Sequence, residues 1–467
     1  MKRTGVALFA LTLSMGASAE SLRDIYELAL ENDAQLKAEE AIYLANKESE
    51  SLGLSGLLPQ IGASYSRSGS DTDTDSENFT LTEDGIATIS STTTSDTYTD
   101  AFSVSLNQPL FDLPAWFSFK AGKEQSKQAE ATFAGNQQNL IVRTVDAYLA
   151  VLRAQDNLTA SIAEEKAFER QLEQTQQRFE VGLIAITDVY EAQAAYDLSQ
   201  VNRIVNENDV AVALEQLSVL TGQKHSSLNV LTDTFEPNPP EPNDRAAWVD
   251  FALQNNYALK AAEYAEEAAR QNSKSAATGH AFKISGSYSY SDTETDGSRT
   301  IDPANDFLSP PYNATDGDQW SVNLSLPLYS GGAISANRRQ SAQQFNAARE
   351  QRINLSRNTV TNTRSLHMTV NSNISRVKAR KQSIVSSRSA LDATQAGYEV
   401  GTRNVVDVLN AQQTLFAAVR DYSNSRYDYI YSILLLKEQA GLLSPEDIYN
   451  LDSFLITPAP PTASESE

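Results

Sequence analysis

Apolar residues follow two periods along this chain, and the series of elements they predict occurs twice. From Ser21 to Leu57, Ala, Leu, Glu and Lys dominate, with Leu22, Ile25, Leu28 and Ala29 on one face, which predicts a helix closed by Pro59. The period then changes to two. Ile61, Ala63 and Tyr65 alternate with Gly62, Ser64 and Ser66, and later Phe102, Val104 and Leu106 alternate with Ser103, Ser105 and Asn107. Between these strands, Arg67 to Asp100 is rich in Ser, Thr, Asp and Gly and is expected to be a loop. Ala115 to Val181 contains no proline, so it predicts one helix of about 67 residues, about 100 Å long. Gly182 stops it, and Ala185 to Thr221 predicts a shorter helix ending at Gly222.

The second half repeats this order. Arg245 to Ala277 is helical, with ALQNNYALKAAE from Ala252 echoing ALENDAQLKAEE from Ala29. Phe282 to Tyr290 and Trp320 to Leu326 alternate as strands, with Ser291 to Asp318 expected as a second polar loop. Ala333 to Val400 is the second long helix, in which Val377, Ile384, Leu391 and Tyr398 recur every seventh position as a narrow coiled-coil seam. Asn404 to Ala440 is the last long helix. The strongest echo is at the helix stops: RFEVGLIAITDVYEAQ at Arg178 and GYEVGTRNVVDVLNAQ at Gly397 share Val, Gly, Asp, Val, Ala and Gln in register, roughly 219 residues apart. The expected organisation is a first repeat over 20–230, a Pro-rich linker over 231–244, a second repeat over 245–450 and a disordered tail over 451–467.

The seam is too narrow to bury the helices fully, so they form either an exposed stalk or the wall of a water-filled space. The strands carry one apolar and one small polar face, as a wall between lipid and water would. An ordinary soluble sheet with one wet face is the competing account. Four strands cannot close a membrane barrel, since the smallest need about eight, so a barrel requires at least two chains. An oligomeric barrel continued by a helical tube satisfies these constraints, and an exported coiled-coil structural or adhesive stalk without a channel is the alternative.

Charge and composition narrow the picture. The net charge of −23 disfavours nucleic acid and anionic lipid as partners. A mean hydropathy of −0.39 leaves no room for a set of transmembrane helices. Lys2 and Arg3 precede an apolar run from Val6 to Leu13 and an Ala17-Ser18-Ala19 cleavage site, so residues 1–19 read as a secretory signal peptide. The chain has no cysteine, which excludes disulfides, a lipidated N-terminal cysteine and thiolate metal sites. The alternating acids at Asp71–Asp75 and Asp292–Asp296 have Thr82 and Pro303 where a calcium loop needs its twelfth-position glutamate. His225, His280 and His367 lack metal spacing. No nucleophile elbow, P-loop or supported carboxylate pair is present, so neither an enzyme nor a cofactor is expected.

Over nearly its whole length the chain resembles the TolC family of outer-membrane efflux ducts, most specifically at RFEVGLIAITDV, at GYEVGTRNVVDVLNAQQTL and at SRYDYI from Ser425. The resemblance implies a mainly α protein with a membrane β part. In it a homotrimer pools four strands per protomer into a twelve-stranded barrel, continued through the periplasm by long coiled-coil helices. It further implies that the doubled turns close the periplasmic end. Tyr398 and Arg403 match the family's gate tyrosine and arginine, and Thr187 and Asp188 match their partners on the other turn. Asp407 matches one constriction acid. The residue three further on is Asn410 rather than a second acid, which should weaken cation preference. The tips Val181, Gly182, Leu183, Val400, Gly401 and Thr402 would dock a periplasmic adaptor (membrane fusion) protein, linked to an inner-membrane transporter of the RND or ABC type. The expected function is export of drugs or proteins across the periplasm and outer membrane, with outer-membrane lipid as the surroundings.

Overall fold

The computed structural model describes residues 19–302 and 311–458. The signal peptide expected at residues 1–19 lies outside them apart from Ala19, as do Pro303 and the tail beyond residue 458. The chain forms two compact units: Asn46–Lys127 with Tyr264–Glu350, and the segments that flank these.

The element order repeats. The first copy holds α1 (Leu22–Asn32), α2 (Ala34–Lys47), α3 (Ser49–Ser55), β1 (Gln60–Thr82), β2 (Gly85–Phe111), α4 (Leu113–Glu180) and α5 (Ile186–Thr221). A short β3 (Val230–Leu231) follows. The second copy holds α6 (Arg245–Asn255), α7 (Tyr257–Ala277), β4 (Lys283–Asp302), β5 (Asn313–Ser325), α8 (Ala333–Glu399) and α9 (Val405–Gln439). The chain ends in α10 (Pro445–Asp452) and β6 (Leu455–Ile456).

Both long helices form where the absence of proline predicts them. The helices expected over 21–57 and 245–277 are each interrupted, and at equivalent positions. The Asp33 carboxylate accepts from the Gln35 backbone N–H at 2.8 Å, and the Asn256 amide oxygen accepts from the Leu259 N–H at 2.9 Å. Short polar side chains that cap the following helix compete here with helix continuation.

The two segments expected as polar loops are strands. β1 and β2 pair without a break from Gln60↔Asn107 to Thr82↔Gly85, so the hairpin is closed by a two-residue turn rather than a long loop. β4 continues the sheet through Asp302. The order is β1-β2-β4-β5, all antiparallel, and among the described residues β1 and β5 are unpaired edges. One face carries Ile61, Tyr65, Trp320, Val322 and Leu324, all well exposed. The other carries hydroxyls that bond across the ladder, Ser64 to Ser103 at 2.8 Å and Ser287 to Ser321 at 2.7 Å. Among the described residues no helix is long and apolar enough to cross a membrane.

The larger hydrophobic core of the flanking segments centres on Tyr148, with Leu22, Ile25, Leu152, Leu217, Leu436 and Ile448 fully buried around it. Tyr148 donates its hydroxyl to the Asn229 carbonyl at 2.8 Å, tying α4 to the segment that leads into β3. Burial raises the pKa of this phenol, as it does for Tyr427, whose hydroxyl meets Asp156 at 2.7 Å. Residues 451–456, expected as part of a disordered tail, are instead ordered: Ile448 and Leu451 bury their side chains and β6 pairs with β3. Of the seam, Val377 and Tyr398 are buried, and Ile384 and Leu391 half-buried.

Candidate functional site

The doubled turn forms two hairpins that end alike. Arg178 to Leu183 closes with the Leu183 N–H on the Arg178 carbonyl at 2.9 Å and the Gly182 N–H on the Phe179 carbonyl at 2.8 Å. Gly397 to Thr402 repeats this, Thr402 to Gly397 at 2.9 Å and Gly401 to Tyr398 at 3.1 Å. These paired bonds satisfy the last carbonyls of α4 and α8 and put the glycines in the left-handed region, at φ 75° and 82°. A side chain is strained there, which accounts for glycine in both copies. The flanking Val181, Leu183 and Val400 are 70%, 68% and 75% exposed.

After the turns the copies diverge. α9 opens with a reciprocal cap: Asn404 accepts from the Asp407 N–H at 2.8 Å, and the Asp407 carboxylate accepts from the Asn404 N–H. α5 has Ala185 at the corresponding position, which offers no side-chain cap, and among the described residues the Asp188 carboxylate meets only Thr187 Oγ, at 3.4 Å. Arg403 lies 3.8 Å from Asp407 in its own turn, with both side chains over a third exposed, a pair of little energetic weight. Its stem packs over Gly397, where a Cβ would meet Arg403 Cγ at 2.9 Å. Asn410 is exposed and receives the Thr414 hydroxyl on its carbonyl at 2.7 Å.

Tyr398 is the centre of the site. Only 7% exposed, it packs with Phe168, Val405, Val408 and Leu409 into a small cluster separate from the main core. This cluster joins the first copy's α4 to the second copy's α9. The Tyr398 hydroxyl is buried without a hydrogen-bond partner. Above its ring sits the Arg178 guanidinium, 4.5 Å from the centroid. The same two residues line a cleft of about 460 Å³ with Gln171, Gln177, Gln395 and Glu399.

Thus the structure brings Tyr398, Arg403 and Asp407 together in the second turn and keeps Thr187 and Asp188 in the first. Among the described residues, the cross-copy contact at Tyr398 is made by Arg178 and Phe168 rather than by Asp188. Arg178 was not singled out from the sequence. The available signal was the break in the repeat, since Arg178 and Phe179 stand where the second copy has Gly397 and Tyr398.

A doubled helix–hairpin–helix chain, with an open two-faced sheet and paired glycine-stopped hairpins, fits the class of outer-membrane channel proteins. The family model for outer membrane efflux proteins matches residues 25–223 and 248–441, and the chain belongs to that family. It is 35% identical to outer membrane protein TolC of Vibrio cholerae serotype O1, over 95% of this chain and 96% of that protein. Identity to TolC of Escherichia coli strain K12 is 34%, covering 98% and 90%. The alkaline protease secretion protein AprF of Pseudomonas aeruginosa is 29% identical, covering 94% and 88%. A crystal structure of CusC superimposes with a TM-score of 0.74 over 92% of this chain and 95% of that one, at 16% identity, a likeness of fold. By its family membership the protein is an outer-membrane efflux channel component rather than an enzyme.

Proposed function

We propose that three copies pool their sheets into one twelve-stranded barrel and their helices into one tunnel, and that the doubled turns are its closable end. The observation that carries this is the open sheet. β1 and β5 leave both edges unpaired while one face is apolar and the other hydroxylated, so neither the edge hydrogen bonds nor the apolar face can be satisfied within one chain. A closed ring of copies satisfies both.

The gate follows from the asymmetry of the turns. Asp188 has an uncapped carboxylate, and the Tyr398 phenol lacks an acceptor. In the closed trimer Tyr398 and Arg403 engage Thr187 and Asp188 through charge-assisted bonds, each worth about 1–3 kcal/mol, enough to bias closure and weak enough to release. Asp407 contributes one ring of three carboxylates, and Asn410 contributes none. Val181, Gly182, Leu183, Val400, Gly401 and Thr402 form the docking tips for a periplasmic adaptor. An inner-membrane RND or ABC transporter supplies the cargo, drugs in one case and proteins in the other; the protease-secretion relative supports the second.

The test is single-channel recording of purified trimer in planar bilayers. Arg403→Ser combined with Tyr398→Phe raises the conductance by loosening the closed end. An unchanged conductance in the double variant would remove these residues from the gate.

A further inference from the structure

The two faces of the sheet stay chemically distinct well past the apolar band. On the face that carries Ile61, Tyr65, Val104 and Trp320, the strands continue into carboxylates, among them Asp71, Asp73 and Asp75 on β1, Asp96 on β2, and Asp292 and Glu294 on β4. The opposite face of the same strands continues in Ser, Thr, Gly and Asn. Among its described strand residues there is no carboxylate, and the charged side chains are Lys283 and Arg299. In a chain of net charge −23 such sorting needs a cause.

Lipid explains it only at the level of the apolar band. Beyond that level both faces of a free hairpin meet water, and nothing would keep acids off one of them. Curvature supplies the missing distinction. Along β2, the hydroxyl positions Thr93, Ser95 and Thr97 are half-buried, while Thr94, Asp96 and Tyr98 between them are exposed. β4 does the same, with Thr293, Thr295 and Gly297 sheltered and Glu294 and Asp296 exposed. The hydroxyl face is therefore the sheltered one where the carboxylates begin. Each face also keeps its own hydrogen bonds, Thr99 to Thr295 at 3.1 Å on one, Thr92 to Asp75 at 2.7 Å and Thr94 to Asp73 at 2.6 Å on the other.

The boundary between apolar and acidic positions is also staggered. The first carboxylates, Asp71, Asp100, Asp292 and Asp318, stand in paired register at the levels of Asp71, Arg67, Tyr65 and Ala63 of β1. A boundary that steps one way across successive strands is what strands tilted through a membrane produce.

We propose that β1, β2 and β4 continue the conduit beyond the lipid as a wall, with an uncharged-to-cationic lumen inside and carboxylates outside. This rests on the barrel assignment above. Anionic cargo, including acidic polypeptides, then meets no like charge along this part of the path.

The chain has no cysteine, so single cysteines report one position each. Ser105→Cys lies on the hydroxyl face within the apolar band, Thr97→Cys on the same face beyond it, and Asp96→Cys beside Thr97 on the acidic face. Each variant trimer is treated in planar bilayers with a negatively charged methanethiosulfonate. Modification at Ser105→Cys and at Thr97→Cys lowers single-channel conductance, and modification at Asp96→Cys does not. A block at Ser105→Cys without one at Thr97→Cys, or equal effects at Thr97→Cys and Asp96→Cys, overturns the wall while leaving the barrel. No block at Ser105→Cys, with labelling verified by mass, overturns the barrel assignment and the wall with it.

Discussion

Two apolar clusters hold the helices of the flanking segments together, and among the described residues they differ in size, with thirty-three buried side chains in the larger and five in the smaller. Around Tyr148 the buried phenols are answered, Tyr148 by the Asn229 carbonyl, Tyr427 by Asp156 and Tyr429 by the Asn238 carbonyl, although Thr144 Oγ1 and Asn229 Oδ1 beside them are not. An ion pair reinforces its rim, Arg143 to Asp33 at 2.6 Å, and a second, Arg420 to Glu164 at 2.9 Å, falls between the two clusters along α4 and α9, each with a nearly buried carboxylate. Around Tyr398 five buried side chains do the packing, and both the Tyr398 hydroxyl and the Gln412 side-chain oxygen lack partners. An unanswered buried polar group costs about 1–3 kcal/mol, and the small cluster has only five buried side chains to offset it, so it is held by much less apolar packing than the large core. The closable end proposed above calls for a segment of low local stability, and the smaller cluster is the weaker of the two.

The contrast is open to attack at both clusters. Leu152→Ala, in the large core at 1% exposure, should cost about 2–5 kcal/mol and visibly lower the thermal midpoint in detergent. Val408→Ala, fully buried in the small cluster, removes about 1–2 kcal/mol of apolar burial. Its effect should be local: faster amide exchange across residues 395–409 with little change in the global midpoint. If Val408→Ala lowers the midpoint as far as Leu152→Ala does, the tip is not a separate cooperative unit.

The smallest effect concerns the edge of the large core. Burial holds the Glu438 pKa above its usual value, only partly offset by the Asn139 amide. A carboxyl whose pKa is raised on folding favours the folded state while protonated. Its contribution is present below the unfolded pKa and is lost as pH rises through the folded one. Glu438→Gln should therefore stabilise slightly at neutral pH and flatten this part of the pH profile. A Glu438→Gln variant less stable at pH 7 than at pH 4, relative to the parent, would reverse the assignment.

The long helices were legible because length without proline is hard to arrange any other way, and the glycine stops because the sequence states them twice. The hairpin arms were not. Hydrophobic alternation marks a strand with one dry face, and beyond the apolar band both faces are wet. The period of two persists there in charge instead, as Asp71-Thr72-Asp73-Thr74-Asp75 and Asp292-Thr293-Glu294-Thr295-Asp296, a spacing that a calcium loop and a strand share. The helix breaks escaped for a related reason. Asp33 and Asn256 are single polar residues inside strong helical patterns, and only their coincidence at one repeat position distinguishes a cap from a surface residue. Arg178 was hidden because the contact to Tyr398 joins two copies of a repeat, whereas the alignment of the copies reveals only what they share.

Both ends of the described chain are clipped to the same few residues. Glu20 bridges Leu228, and Leu455–Ile456 pairs with Val230–Leu231 immediately beyond. The segment between the copies is thus a seam where the start, the middle and the finish of the polypeptide meet. Topologically the protomer is a ring of two equal arcs, cut at one of two neighbouring places. Joining residue 458 to residue 20 through a short spacer and opening the chain between Asn238 and Asp244 would exchange which arc is made first. Which copy leads is then a matter of where the gene begins and carries no weight in the finished duct.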